Sequence, residues 1–214
     1  MKERAMTWLA RGALIGCVLL ANACSLSGPS RPAPVKQSYL LNAERTGPTN
    51  AGHIPLALRV NRFVVAQPFD SRPLVYRATD LRFETDFYNE FLALPATMVT
   101  ERTMRWLADA RLFSAIVPMN SNIDARLVLE GSVWTLHGDY RNPQAPRAII
   151  GIRFLLARDD TEGPTLLDRS FTRSVPVADR SPDQLVAAFD VALSRILAEL
   201  EVAMAAALKN DKGR

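Results

Sequence analysis

Two segments with helical periodicity, each after a series of strand-like segments, constrain the fold of this 214-residue chain more than any other pattern. The first helix is predicted to start at Pro95, because the first helical position needs no N–H donor. The second is predicted to start at a capping box that runs from Ser181 to Gln184, with Ser181 as the cap. Their apolar stripes are Val99, Thr103, Trp106, Leu107 and Ala110 in the first helix, and Val186, Phe189, Leu193, Ile196, Leu197, Leu200 and Met204 in the second.

Strands are predicted at 38–41, 56–66, 74–78 and 81–86, before the first helix, and at 123–137, 148–158 and 166–175, after it. The last two form a hairpin across a turn at 159–164, and Thr79-Asp80 is the turn of another. The inward residues are predicted to be Leu58, Val60 and Val64, then Ile123, Ala125, Leu127 and Leu129, and finally Ile150, Ile152, Phe154 and Leu156. After Gly131 the apolar phase shifts to Trp134 and Leu136, which predicts a bulge at this glycine. The order of elements predicts an α+β two-layer fold, in which an antiparallel or mixed sheet is covered on one face by two helices.

The first 23 residues have the composition of a cleaved signal peptide, with Lys2, Arg4 and Arg11 ahead of a short apolar run. That run is too short to span a bilayer, which takes roughly 20 apolar residues. The sequence from Leu20 to Cys24 resembles the lipobox of bacterial lipoproteins, in which the cysteine is acylated and becomes the new N-terminus. We therefore expect lipidation at Cys24.

A second lipobox-like sequence ends at Cys17, but it leaves only about five apolar residues after Arg11, fewer than a signal core needs. Ser25 follows Cys24, and this resembles the default signal for sorting to the outer membrane, so the domain should face the periplasm. Residues 24–37 are predicted to be a lipidated, Pro/Ser-rich flexible tether, and residues 38–214 a single domain. At about 3.3 Å per residue, the 13 residues after Cys24 reach at most roughly 43 Å.

The charge and the cysteine content argue against a nucleic-acid-binding protein and against stabilisation by disulfide bonds. Residues 1–23 hold three basic residues and one acidic residue, so their removal lowers the net charge from +4 to +2. A nucleic-acid-binding protein would have a larger and more clustered excess of Lys and Arg. With Cys17 removed and Cys24 acylated, no thiol is left for a disulfide, so stability must come from the core.

A search for catalytic or metal-binding motifs yields little. The chain has no G-x-S-x-G sequence and no Gly-rich phosphate loop. Its two histidines, His53 and His137, lack a partner at metal-ligand spacing, and each is interpreted as a solvated or hydrogen-bonded residue. The acidic group Asp159, Asp160 and Glu162 is interpreted as a hairpin turn rather than a Ca²⁺ site. We therefore predict a protein that is not an enzyme and has no metal or cofactor.

Four short motifs occur in a specific order: Tyr39-Leu40-Leu41, the pair Tyr76-Arg77, the aromatic stretch from Asp86 to Pro95, and Trp106-Leu107 followed by Leu112-Phe113. Together with the lipobox, the tether and the last helix, this order resembles the PqiC-like family of ABC-type transport auxiliary lipoproteins. Phe91 stands where many members have Trp. The resemblance covers essentially the whole chain after Cys24.

The resemblance implies a non-enzymatic, outer-membrane subunit of a phospholipid transport system. Its partners would be an MCE-domain protein, which forms a conduit across the periplasm, and an inner-membrane permease complex. Tyr76, Arg77, Phe87, Tyr88 and Phe91 are of the residue types that are common at interface hot spots, and are the predicted partner-binding residues. The predicted surface includes the strand pair around Tyr76-Arg77 and a loop from Asp86 to Phe91. Packing of these residues on the domain's own core is the alternative. A homo-oligomeric ring is also expected, and the alternative function is a structural or chaperone lipoprotein of an outer-membrane assembly, such as lipopolysaccharide export.

Overall fold

The protein is described here from a computed structural model, which describes residues 35–48, 54–159 and 165–211. The predicted signal peptide, Cys17, Cys24 and most of the predicted tether lie outside these residues, as do His53, Asp160 and Glu162. Nine strands and two α-helices follow one another in the described part of the chain. They are β1 (Gln37–Tyr39), β2 (Ile54–Val60), β3 (Val64–Val65), β4 (Pro73–Arg77), β5 (Phe83–Phe91), α1 (Pro95–Ala110), β6 (Phe113–Pro118), β7 (Leu127–Asp139), β8 (Arg147–Arg158), β9 (Leu167–Pro176) and α2 (Pro182–Asp211).

All nine strands belong to one mixed sheet that is organised around the long strand β7. On one side β7 pairs along its whole length with β8, antiparallel, and β8 pairs with β9 in the predicted hairpin. On the other side β7 pairs in turn with β2, β3 and β4, all parallel. Strand β6 extends the sheet beyond β2, and β5 and then β1 extend it beyond β4. The α+β prediction is confirmed, with a mixed sheet.

Both predicted helices are present, and every residue of their predicted apolar stripes is buried. Helix α2 packs on β8 and β9, and α1 packs beside β6 and against α2, so one core joins the sheet to both helices. Ser181 Oγ accepts the N–H of Gln184 at 3.3 Å, as predicted for the cap. The N–H of Ser181 donates to Asp179 Oδ1 at 2.7 Å, so Asp179 takes the place that Gln184 has in a complete capping box.

A buried carboxylate connects the two helices to the segment after β1. Glu201 of α2 accepts hydrogen bonds from Arg45 Nε and Nη2, both at 2.9 Å, and from Trp106 Nε1 of α1, also at 2.9 Å. The same arginine donates to the carbonyls of Gly47 and Pro48. Such bidentate, charge-assisted bonds hold a segment that has no sheet partner of its own on the helices.

The phase shift in β7 is present, but the predicted bulge position at Gly131 is wrong. The pairing with β8 slips by one residue between Val133 and Thr135, so Trp134 is the extra residue. Trp134 is 49% exposed, and Leu136 is buried. Gly151 of β8 lies beneath the indole, and a Cβ there would be 2.4 Å from Trp134. Gly131 has another role, because a Cβ there would be 2.6 Å from the ring of Phe63.

Three further strand predictions need correction. Residues 56–66 form two strands, because the strand is interrupted at 61–63, where Phe63 turns into the core. The N–H of Phe63 donates to Thr100 Oγ1 at 3.0 Å. As a result Val64 is 63% exposed and does not share the inward face of Leu58 and Val60. Ile123 is also exposed, at 54%, because β7 starts only at Leu127.

The predicted hairpin around Thr79-Asp80 is confirmed, but its second strand continues to Phe91. The segment from Asp86 to Phe91, which we expected to be a loop, is therefore part of β5. Within residues 35–48, 54–159 and 165–211, no helix has both the length and the apolar character needed to cross a membrane.

Candidate partner-binding surface

The second half of β5 contains a large bulge. Val75 of β4 pairs with Thr85, whereas Pro73 pairs with Glu90, so four residues of β5 stand opposite the single residue Leu74. We call these four residues, Asp86 to Asn89, the β5 bulge. A bulge of this size leaves the ladder and changes the direction of the side chains it carries.

A single carboxylate holds the β5 bulge in place. Asp86 Oδ1 accepts the N–H groups of Tyr88 and Asn89, both at 2.9 Å, and Oδ2 accepts Tyr76 Oη at 2.8 Å and Asn89 Nδ2 at 3.0 Å. Partial burial raises the pKa of Asp86, but the hydrogen bonds from Tyr76, Asn89 and Tyr88 outweigh burial and keep the pKa below its ordinary value. The charged form of Asp86 therefore organises the bulge.

Two of the five predicted partner-binding residues, Phe87 and Tyr88, are at the outer side of the β5 bulge. Their side chains are 72% and 42% exposed, and their rings contact each other edge to face at 5.0 Å. Lys36 Nζ lies 5.2 Å from the centre of the Phe87 ring. Adjacent strand residues normally point to opposite faces, whereas Phe87 and Tyr88 contact each other and are both exposed at the bulge.

The other three predicted residues have supporting positions. Phe91 is 3% exposed, and its ring centre lies 6.3 Å from that of Phe189 in the core. Tyr76 supports the bulge through Asp86, and both burial and this hydrogen bond raise the pKa of Tyr76. Arg77 closes the hairpin turn by donating to the carbonyls of Thr79 and Asp80, and it lies over the Phe83 ring.

A cleft of about 480 Å³ lies next to the β5 bulge. The β4–β5 hairpin forms one wall, with Arg82, Glu84 and Asp86. The chain that follows β7 and the start of α2 form the other walls, with Tyr140 and Arg180. The cleft therefore combines two arginines, two carboxylates and two tyrosines.

The predicted candidates for catalysis and metal binding are placed as follows. His137 is 6% exposed, stacks on Phe69 at 5.7 Å between ring centres, and makes a 2.9 Å hydrogen bond to Thr135 through Nδ1. Burial lowers its pKa to about 4, so the ring is neutral at physiological pH and has little access to a substrate. Asp159 forms an ion pair with Arg59. No group of three or more metal-ligating side chains occurs in the part of the chain that the structure describes.

Sequence reasoning missed the role of Asp86, Tyr140 and Arg180. A signal was present for Asp86, because Asp is a residue type whose side chain often accepts backbone N–H groups a few residues ahead. No local pattern joins Tyr140 to Arg180, since they are 40 residues apart and meet only through the tertiary fold.

Comparison with known proteins identifies the family. Protein XCC0632 from Xanthomonas campestris, a DUF330 protein, superposes with a TM-score of 0.74 at 20% identity, and covers 83% of this chain and 100% of its own. A second solved structure, of an uncharacterized protein, has a TM-score of 0.64 at 15% identity and covers 79% of this chain and 99% of its own. At these identities the two structures support the fold. No curated protein matches this chain by sequence.

The family model described as "ABC-type transport auxiliary lipoprotein component" matches residues 39–201, which is most of the chain. The matched range runs from the end of β1 to Glu201 of α2 and includes the β5 bulge, the hairpin and the cleft. The chain therefore belongs to the ABC-type transport auxiliary lipoprotein family.

Proposed function

We propose that this chain is the outer-membrane-anchored, periplasm-facing subunit of an intermembrane phospholipid transport system, and that it binds an MCE-domain protein through the β5 bulge. Family membership supports the role as a transport auxiliary lipoprotein. The exposed pair Phe87 and Tyr88 is the observation that carries the assignment of the binding surface. The inner-membrane permease complex would be reached through the MCE-domain protein.

The β5 bulge has the properties of a preformed hot spot. Phe87 and Tyr88 offer large rings with few rotatable bonds, and the four hydrogen bonds to Asp86 fix the backbone beneath them. A rigid aromatic pair loses little conformational entropy on binding, so most of the area it buries contributes to affinity. Tyr76 and Arg77 act through the hairpin that they stabilise, and Phe91 anchors the same strand in the core.

The order of the proposed anchor, the tether and β1 along the sequence suits this use of the bulge. The chain enters the domain through β1, whose Gln37 pairs with Asn89 of the β5 bulge. An acylated Cys24 would thus be connected by its tether to the strand beside the binding surface. Several acyl chains on one cysteine give stable attachment, because each buried methylene contributes about 0.8 kcal/mol.

The proposed role requires no catalytic step, cofactor or metal from this chain. A conduit across the periplasm is best matched by a docking partner with closed symmetry, so we include a homo-oligomeric ring in the proposal. Sedimentation of the purified chain, alone and with the MCE-domain protein, measures this state.

Binding of the purified MCE-domain protein to Phe87→Ala and Tyr88→Ala tests the proposed surface. We expect each variant to weaken binding about tenfold or more, as for a hot-spot residue, and to unfold at the wild-type temperature. Val202→Ala is the matched control, since Val202 on α2 is 71% exposed and Phe87 is 72% exposed. Folded variants that bind at full strength would contradict the assignment. Capture of a lipopolysaccharide-export protein in place of the MCE-domain protein would favour the alternative function.

The anchor is tested separately by following palmitate incorporation in cells. We expect Cys24→Ala to abolish labelling and to release the domain from the outer-membrane fraction. Cys17→Ala is the control and should retain both properties. Persistent labelling of Cys24→Ala would instead assign the acylation site to Cys17.

A further inference from the structure

We propose that the cleft beside the β5 bulge binds a phosphate ester. The cleft is separate from the exposed rings of Phe87 and Tyr88, so this inference does not depend on the identity of the docking partner. Its volume of about 480 Å³ is within the range of about 300–1,000 Å³ that is typical of ligand sites. Its walls come from three separate elements of the fold, which gives a concave site with polar groups on opposite sides.

The carboxylates of the cleft are already engaged. Asp86 accepts the four hydrogen bonds that hold the β5 bulge. Glu84 pairs with Arg82 Nε at 3.1 Å. The hydrogen-bonding groups of the cleft that are left for a ligand are therefore not mainly these carboxylates.

The unused capacity consists of donors. Within residues 35–48, 54–159 and 165–211, the guanidinium of Arg180 has no carboxylate at ion-pair distance, and it lies 5.7 Å from the centre of the Tyr140 ring. An arginine that stacks on an aromatic ring keeps its five N–H donors for a ligand. The contact of Arg82 with Glu84 is at Nε, and neither terminal nitrogen of that guanidinium makes a hydrogen bond to a residue that the structure describes.

Tyr140 adds a second unusual donor. Its hydroxyl is buried and has no hydrogen-bond partner among the residues that the structure describes. Its ring is fixed by an edge-to-face contact with Tyr76 at 5.3 Å and by close packing on Gly138, where a Cβ would lie 2.6 Å from Cε2. A buried hydroxyl without a partner is destabilising, and a ligand oxygen that enters between Tyr140 and Arg180 would supply the missing hydrogen bond.

This set of donors identifies the chemistry of the ligand. Spare donors on opposite walls fit a group that has several acceptor oxygens and negative charge. A planar carboxylate matches one guanidinium, whereas the tetrahedral oxygens of a phosphate can accept from Arg82, Arg180 and Tyr140 at once. The ester substituents would occupy the rest of the cleft. Such a group is present both in phospholipid head groups and in soluble phosphate esters.

Phosphorus-31 NMR titration of the full chain in phosphate-free, non-ionic detergent micelles tests the proposal. The soluble probe is glycerol 3-phosphate, and the lipid probe is a short-chain phosphatidylglycerol added to the same micelles. We expect saturable binding of at least one probe, and the probe that binds more tightly identifies the source of the phosphate. Succinate should compete poorly.

Two variants and a matched control assign the binding to this cleft. Arg180→Ala should weaken it about tenfold or more, because charge-assisted hydrogen bonds are lost, and Tyr140→Phe should weaken it about threefold or more while the ring packing is kept. Arg169→Ala is the control, since Arg169 is exposed on β9, away from the cleft, and should not change the affinity. Thermal unfolding confirms that each variant is folded. Absence of saturable binding for both probes, equal loss in Arg169→Ala, or equal affinity for succinate would overturn the proposal.

Discussion

The two large irregularities of the sheet, at Trp134 in β7 and at Asp86 to Asn89 in β5, solve different problems. The bulge in β7 adds one residue, and the ladder with β8 resumes at once, so its effect is to exchange the faces on which the following residues lie. The β5 bulge removes four residues from the ladder and turns two aromatic side chains outward. The first builds the core and the second builds a surface.

They are also held by different forces. Trp134 is accommodated because Gly151 lacks a Cβ, so packing alone permits that bulge. The β5 bulge depends on the hydrogen bonds that one carboxylate accepts. Substitutions should therefore affect the two regions through packing in one case and through charge and hydrogen bonding in the other.

The largest expected effect is within β5 itself, at Phe91. Phe91→Ala should lower the free energy of unfolding by about 3–5 kcal/mol, because a fully buried ring is replaced by a cavity. Phe87→Ala, four residues away, should change it by less than about 0.5 kcal/mol. Urea denaturation measures both. A small loss for Phe91→Ala would mean that the side chain faces a partner.

The next effect is expected for Asp86→Ala, which should destabilise the domain by about 2–3 kcal/mol, because hydrogen bonds to a charged group are lost. Binding of the MCE-domain protein should also fall, since Phe87 and Tyr88 lose their fixed positions. Asp86→Asn keeps the acceptor for the two backbone N–H groups and should have an intermediate effect. An Asp86→Asn variant as stable as the wild type would show that the charge is unimportant.

Gly151→Ala should destabilise by about 1–3 kcal/mol, because the added Cβ would lie 2.4 Å from the Trp134 indole. The double variant Gly151→Ala, Trp134→Ala should recover part of this loss, since the overlapping ring is removed. A double-mutant cycle in urea gives the coupling energy. Additive effects would contradict the packing explanation for this bulge.

A smaller and pH-dependent effect is expected at His137, where the two regions meet: the residue lies in β7 beyond Trp134, and its ring contacts Phe83 of β5. Burial lowers its folded-state pKa from 6.5 to about 4. The charge of Asp139 opposes this shift, and the charges of Arg77 and Arg141 add to it. The unfolded chain therefore binds more protons between these values. The contribution to stability is complete above pH 6.5 and is lost as the pH falls toward 4.

His137→Phe keeps the aromatic stacking and removes the titrating group. Urea denaturation between pH 7 and pH 4 should therefore show a weaker decline in stability for this variant than for the wild type. Parallel declines for the two proteins would mean that other groups are responsible. The carboxylates with lowered pKa, such as Asp86 and Asp139, act mainly at lower pH.

Comparison of these regions explains what the sequence revealed. The helices were predictable because Pro95 and Ser181 mark their starts and their apolar stripes are long. The phase change in β7 was visible in the sequence, but the position of the bulge was not. A glycine can mark a bulge or make room for a neighbouring side chain, and only the fold shows that Gly151 lies beneath Trp134 and Gly131 beneath Phe63. The prediction of Val64 as inward failed because Phe63 packs across the sheet on Gly131.

The candidate surface was predictable only in part. The aromatic residue types pointed to this segment, yet alternation along a regular strand would place Phe87 on the same face as Phe91, whereas Phe87 is exposed and Phe91 is buried. The cleft was not predictable from the sequence. Tyr140 follows β7 and Arg180 precedes α2, so they are far apart along the chain and only the fold brings them into contact.

The ion pair between Arg45 and Glu201 affects how the domain responds to force. Any pull on the N-terminal segment acts first on β1, which has three residues and pairs with β5 at the edge of the sheet. After β1 the chain is held by buried Leu41, by the hydrogen bond from the N–H of Asn42 to Asp190, and then by Arg45, whose carboxylate partner also holds Trp106. Strand β1 would therefore be the first element to separate under such a pull. Since Gln37 pairs with Asn89, its separation would remove one partner of the β5 bulge, so tension in the proposed tether would act on the proposed binding surface.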